Sequence, residues 1–472
     1  MSSVTKAESC VTVERPSTIL DRISTLNSSR WWILLVTTAL VARLAWAAAI
    51  HTRQPQFDEN FYITLAVRLA TGLGYVDDRG DPTAFWPVGY PTVLAFSYSL
   101  LGQRPFTGIL LQVLLGIATC VIVCSIASSA FGPRIGRWAA LLLAVYPTHV
   151  FYSTLYLTEP LFTFLLVAAV ALLHRRGPPT SVRFMAAGLM LGLAALVRPV
   201  VLLFPLTLPV WFRFQGWSTT QILHRTAMVG ICTLVAASPW AMRNHAFTQS
   251  WFAISTNGGR NFWMGNYPGA FGGYAYPREI ARQLHSGPGS DYLDSSAGYR
   301  LGLAAIEASP TRAAVRALQK VSYFFALETD GVLWNVKGLQ RPPPLAVTLA
   351  LLSVANATYL FVMGFAVLGL ICTVSTDRLG SLFVLIAGYL LLVAVVFVGD
   401  PRYHYPLIPL TTVFAAKGLV DDGPQLLKSL RHNDPRAIRT LRRCAAIFGV
   451  FVLLIGANLF LKFLEIRTLS GR

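Results

Sequence analysis

Between His51 and Leu101 the chain reads HTRQPQFDENFYITLAVRLATGLGYVDDRGDPTAFWPVGYPTVLAFSYSLL, with an acidic pair, Asp58-Glu59, just beyond the first apolar span. Ionised side chains beside lipid-compatible residues are expensive to desolvate, so adjacent carboxylates at that boundary point to a site. After the pair, Asn60, Thr64 and Arg68 recur every fourth residue, with Phe61, Leu65 and Leu69 on a neighbouring stripe. This is the period of an amphipathic helix lying in a membrane interface. The run Gly72, Gly74, Asp77, Asp78, Gly80, Asp81, Pro82 predicts turns. The apolar segment from Pro87 to Leu101 is too short to cross a bilayer upright and reads as a second interfacial helix.

Working outward, hydrophobic residues make up 54% of the 472 and charged residues 13%, which places the chain among polytopic membrane proteins. The net charge of +18 comes mostly from Arg scattered in short clusters between apolar spans. No basic face or recognition motif accompanies it, which argues against nucleic acid. The six cysteines show no paired metal-ligand spacing, and Cys120 and Cys124, one helical turn apart, read as small buried hydrophobes. The polar N-terminus to Arg30 has no small-residue cleavage site following it after Trp31, so the first span is read as a retained anchor.

The predicted architecture is all-α and polytopic. Its candidate spans are Trp31–Ile50, Phe106–Phe131, Trp138–Tyr152, Leu161–Leu173, Phe184–Leu196, Val200–Phe212, Thr226–Trp240, Leu345–Cys372, Leu382–Val398, Tyr405–Val420 and Ala445–Leu464. That is about eleven, several of them shorter than the roughly 20 residues an upright helix needs. Four segments follow: a cytoplasmic piece over 1–30, an N-terminal transmembrane catalytic module over 31–240 that includes the 51–105 loop, an extracytoplasmic loop region over 241–344, and C-terminal spans over 345–472. Short loops rich in Arg and Lys favour the cytoplasm, and with the N-terminus inside they all fall there, which leaves Asp58-Glu59 outside.

On this topology Asp58, Glu59, Arg68, Glu159, Arg198, Arg243 and Arg402 gather at the outer face. Five of them have two readings. Asp58-Glu59 cap a helix or supply a catalytic base, and Glu159, followed by Pro160, caps a helix or serves the site. Arg198 and Arg402 snorkel to headgroups or clamp a phosphate with their fork of donors. Together, carboxylates and guanidinia at a membrane face suit activation of an acceptor hydroxyl or amine while a phosphate leaves. No ligand cluster assigns a metal, so a divalent ion stays open.

Several motifs occur in a telling order: Asp58-Glu59, Pro87-Val88-Gly89-Tyr90-Pro91, Thr158-Glu159-Pro160-Leu161, Val197-Arg198-Pro199, Pro239-Trp240 with Arg243-Asn244, and Pro401-Arg402-Tyr403. In this order they resemble bacterial membrane glycosyltransferases of the GT-C fold, in the dolichyl-phosphate-mannose-protein mannosyltransferase-like family, whose relatives include lipid A aminoarabinose and galacturonic acid transferases. The run Ser255 to Asn266 resembles a recurrent segment of bacterial members. The resemblance implies an enzyme of the bacterial plasma membrane. It would transfer a hexose or pentose from a polyprenyl-phosphate donor to a lipid, glycan or protein acceptor on the extracytoplasmic face. By the same resemblance Asp58 is the base, Glu59 supports it, Glu159 is the second acidic position, and Arg198, Arg402 and Arg243 contact phosphate. No MIR-type module or soluble C-terminal domain is evident, which weighs against protein acceptors. The alternatives are a transporter or flippase of lipid-linked sugars and a polymerase or ligase of preformed glycans. Against transport, the charges lie at span ends rather than the midplane, with Arg43 the exception, and no internal repeat is visible.

Overall fold

A computed structural model describes residues 28–175, 180–248, 254–274, 290–374 and 377–470. Apart from one isolated antiparallel bridge, Val76 to Pro82, the regular structure of the described residues is helical. In chain order come α1 (Ser28–Ala49), α2 (Asp58–Ala70), α3 (Gly89–Leu101), α4 (Pro105–Phe131), α5 (Pro133–Ala144), α6 (Glu159–His174), α7 (Ser181–Val197) and α8 (Thr219–Thr248). They are followed by α9 (Asn257–Asn266), α10 (Ser290–Ala308), α11 (Pro310–Phe324), α12 (Leu345–Thr373), α13 (Arg378–Val396), α14 (Ile408–Lys417) and α15 (Pro435–Ser470). Shorter helical pieces and turns join them.

Among the described residues, six helices are long and apolar enough to cross a membrane: α1, α4, α8, α12, α13 and the stretch Pro435–Glu465 of α15. The expectation of about eleven spans is not met by helices of that kind. For three of the expected spans proline supplies the reason, because its ring clashes with the preceding turn and it lacks an N–H; Leu161–Leu173 and Phe184–Leu196 lie in unbroken helices, α6 and α7, of 16 and 17 residues. The expected span Trp138–Tyr152 stops at Ala144 and restarts as a five-residue helix at Pro147. Val200–Phe212 breaks into short turns at Pro199, Pro205 and Pro209. Tyr405–Val420 opens on a 3-10 turn at Pro406 and ends in a π-turn after Lys417. These short pieces sit inside the bundle: every residue of α14 from Ile408 to Ala416 is buried.

The interior is closed by direct helix contact. Gly188 and Gly192, one turn apart on α7, face α8, and a Cβ at either would collide with the carbonyl of Val229 or Thr233. Small residues at that spacing let backbones approach, and Thr233 uses the proximity to donate to the Gly188 carbonyl at 3.0 Å. The mid-span Arg43 is fully buried, with Nη1 on the carbonyls of Ala39 and Ala144, each at 3.1 Å. It staples α1 to the end of α5. In α4, Gln112 donates to the Leu155 and Leu157 carbonyls at 2.7 and 3.0 Å and to the Tyr90 hydroxyl at 3.1 Å. That fork fixes the extended segment leading into Glu159 against α3.

Candidate active site

A cavity of about 880 Å³ lies where α2, the loop before α3, the first turn of α6, the end of α7, α9, the end of α13 and the Arg402 turn converge. Asp58, the first residue of α2, is there because the preceding chain turns sharply at Phe57, whose φ is 44° and ψ −116°. The face predicted as polar, Asn60, Thr64 and Arg68, lines the cavity, while Glu59 and Ala66 turn into the protein.

Asp58 Oδ2 lies 3.5 Å from Arg402 Nη1, across 344 residues of sequence. Arg402 is held by Asp400, whose Oδ1 accepts from the Arg402 backbone N–H at 2.8 Å and from its Nε at 3.4 Å, and by Trp334, whose ring centre is 5.4 Å from the guanidinium. Beside them Arg198 Nη1 pairs with Glu159 Oε1 at 3.2 Å and lies over the Tyr403 ring at 5.3 Å. Glu159 opens α6, so its two sequence readings coincide: it occupies the positive end of a helix and faces the site.

Burial pushes the Asp58 carboxyl above its ordinary value, against the pull of Arg402, with the charges of Glu159 and Asp400 adding to the rise. Burial opposes the charge on Arg402, but the carboxylates of Asp400, Glu159, Asp58 and Asp330 outweigh it and raise its pKa. A partly desolvated carboxylate thus meets a permanently charged guanidinium at the cavity wall. Such a group is able to take a proton while the cations stabilise negative charge nearby.

Two residues expected at the site stand elsewhere. The Glu59 carboxylate is fully buried outside the cavity wall, in an ion pair with Arg53, and accepts from the backbone N–H of Gln56 at 2.9 Å and of Tyr156 at 2.8 Å. Successive helical side chains point about 100° apart, so only one of two neighbours can face a given cavity. Arg243 is likewise spent on the protein: it donates to the carbonyls of Thr83 at 2.6 Å and Tyr75 at 2.7 Å and stacks on Trp240 and Phe247. Its two terminal nitrogens pin the loop that carries Trp86.

Sequence reasoning did not single out Asp400 as the holder of Arg402, nor Asp330, Trp334 and Tyr403. Asp400 was legible as a helix-turn cap in the Asp-Pro-Arg run; the others depend on contacts far apart in sequence. Among the described residues no three His, Cys, Asp or Glu side chains converge as metal ligands.

Residues 86–242 match the family described as dolichyl-phosphate-mannose-protein mannosyltransferase. The match includes Glu159 and Arg198 and leaves Asp58 and Arg402 outside it. No curated protein matches the chain in sequence. Among solved structures, the oligosaccharyltransferase AglB from Archaeoglobus fulgidus, in complex with an inhibitory peptide and a dolichol-phosphate, is 14% identical with a TM-score of 0.50 over 91% of this chain. This chain spans only 56% of that protein's length. The same archaeal enzyme in complex with Zn and sulfate aligns at 15% identity, a TM-score of 0.50, and 91% and 53% coverage of the two chains. ArnT from Cupriavidus metallidurans, bound to undecaprenyl phosphate, aligns at 17% identity with a TM-score of 0.42, covering 84% of this chain and 79% of that one. The all-helical bundle, the family match and the archaeal likeness together identify the architecture as the GT-C, mannosyltransferase-like fold.

Proposed function

We propose that the protein is an integral membrane glycosyltransferase that moves a sugar from a polyprenyl-phosphate donor to an acceptor at the extracytoplasmic face of a bacterial plasma membrane. The observation that carries this reading is the 3.5 Å meeting of Asp58 and Arg402 in a cavity with an apolar flank. Asp58 takes the proton of the acceptor hydroxyl as its oxygen attacks the anomeric carbon. The bond from that carbon to the phosphate oxygen breaks on the opposite face, the configuration inverts, and polyprenyl phosphate leaves. Arg198 and Arg402 offset the charge gathering on the phosphate. Glu159 orients Arg198, and Glu59, paired with Arg53, anchors the helix that presents Asp58.

The test is transfer by the purified full chain from a radiolabelled polyprenyl-phosphate sugar. Asp58→Asn is expected to lower the rate by about 10²–10⁴-fold, the usual contribution of a positioned base, with the protein still folded. Unaltered turnover by a folded Asp58→Asn protein rejects the assignment.

A further inference from the structure

The wall of the cavity changes character around Asp58. Toward α13 it is apolar, with Val200, Leu203, Leu390 and Val393. On the other side it is aromatic and polar. Phe61 and Trp86, with ring centres 5.7 Å and planes 32° apart, form a shelf, and Phe85 stands edge-on to Trp86 at 5.0 Å with the Arg260 guanidinium over its ring at 4.4 Å. The shelf is held rigidly: Tyr75 donates its hydroxyl to the Trp86 carbonyl at 2.8 Å, and the Thr256 backbone N–H donates to the Ala84 carbonyl at 2.9 Å. That last bond joins the shelf to the start of α9, where Asn257 and Asn261, one turn apart, line the cavity. Across from them Asn60 and Thr64 stand one turn apart on α2, directly after Asp58. Of the charged groups nearest this wall, Arg68 pairs with Asp78 at 2.8 Å and Arg260 with Asp294 at 3.5 Å, while the Asp77 carboxylate accepts from the backbone N–H groups of Arg79 and Asp81, each at 2.9 Å.

Flat rings beside planar amides and a hydroxyl, with both arginines paired, suit a ligand having an apolar C–H face and a rim of hydroxyls. A sugar ring has both. Its face lies on an aromatic plane, while each amide offers a donor and an acceptor to neighbouring hydroxyls. A phosphorylated headgroup would meet only paired cations on this wall, and among the described residues a peptide backbone would meet no exposed strand edge there.

We infer that the acceptor is a neutral glycan, its ring laid on the Phe61 and Trp86 shelf and its attacking hydroxyl directed at Asp58. This rests on the transferase reading above and narrows it to one class of acceptor. A glycan free in solution and one carried on a lipid present the same ring to the shelf.

The experiment supplies the purified full chain with radiolabelled undecaprenyl-phosphate hexoses and pentoses and four acceptors in parallel: free neutral trisaccharides, octyl glycosides of the same trisaccharides, a peptide mixture rich in Ser, Thr and Asn, and a phosphorylated glycolipid. Label is expected on the neutral glycans, and the first two arms separate a free from a lipid-borne source. Trp86→Ala and Asn257→Ala are each expected to raise the acceptor KM about tenfold, with the donor KM unchanged. Phe61→Ala, at a half-exposed ring whose loss leaves the core intact, is expected to do the same and keeps the test valid should Trp86→Ala fail to fold. Label on the peptide or the charged glycolipid with none on neutral glycans overturns the inference, as does a rise in donor KM alone, while the transferase reading survives either result. Absence of donor turnover with every acceptor defeats the transferase reading and this inference with it.

Discussion

Asp58 and Glu59 are adjacent, yet one carboxylate opens onto the cavity and the other is sealed against Arg53 and two backbone N–H groups. Their substitutions are therefore expected to differ in kind. Glu59→Ala leaves the Arg53 guanidinium buried without its counter-charge, a loss of about 3–5 kcal/mol, seen as a large drop in melting temperature in detergent. Asp58→Asn acts in the opposite sense on stability. The folded-state pKa of Asp58 is raised, so its contribution to stability is present below its unfolded pKa and is lost as pH rises through the folded value. At neutral pH the amide is thus expected to melt no lower than the native protein. Equal destabilisation by the two changes would contradict the environments assigned to them. Under the proposed role the raised pKa also sets the sign of the rate profile: acidification is expected to protonate Asp58 and lower the rate, at a pH above that of an ordinary aspartate.

At the scale of elements, Lys320 in α11 shows how the long loop is fastened to the bundle. Its Nζ donates to Asn266 Oδ1 of α9 at 2.9 Å and to the carbonyls of Val395 and Val396, where α13 ends, at 2.9 and 3.3 Å. A lysine placed there satisfies helix-end carbonyls that otherwise lack partners. Burial pushes this amine down to about 7 from 10.5. Between those values the unfolded chain holds a proton that the folded one has released, so stability rises with pH across the window. The melting temperature is expected to increase from pH 7 to pH 9 by the equivalent of about 1–2 kcal/mol more in the native protein than in Lys320→Met, and identical slopes would refute the contact. How legible an element was depended on whether its cause is local. The α2 stripe of Asn60, Thr64 and Arg68 follows from a repeat of four residues and lines the cavity where that repeat puts it. Lys320 gave no sign in the sequence, because its partners come from two other helices. Arg243 carried a motif but not its destination, since the carbonyls it binds lie some 160 residues earlier. Helix lengths were misjudged where proline divides an apolar run, because hydropathy records composition and is blind to the break.

Among the described residues, six long apolar helices stand beside shorter buried ones, and residues 58, 159, 198 and 402 meet at one cavity although they belong to four separate turns of the chain. The alternation of basic loops with apolar spans conveyed that the chain crosses a membrane repeatedly; the convergence needed the fold, since no local pattern encodes which turns meet. The topology proposed here puts the α2 loop and the basic approach to α15 on opposite sides. In a protein whose own cysteines have been replaced, Arg79→Cys is expected to react with an impermeant maleimide from outside intact cells, and Arg436→Cys only after permeabilisation. Both positions are exposed, so modification of the two from the same side would reverse the assignment of faces.

The backbone at Phe57 has a further consequence. A side chain other than glycine at a positive φ is costly to hold, on the order of 1–3 kcal/mol, and persists only where its surroundings leave it no alternative. The Phe57 ring meets the edge of Trp334 at 5.7 Å, and Trp334 in turn roofs Arg402. The torsion that aims the Asp58 carboxylate and the ring over its cationic neighbour therefore form one sprung linkage, in which relaxing either end would slacken the other.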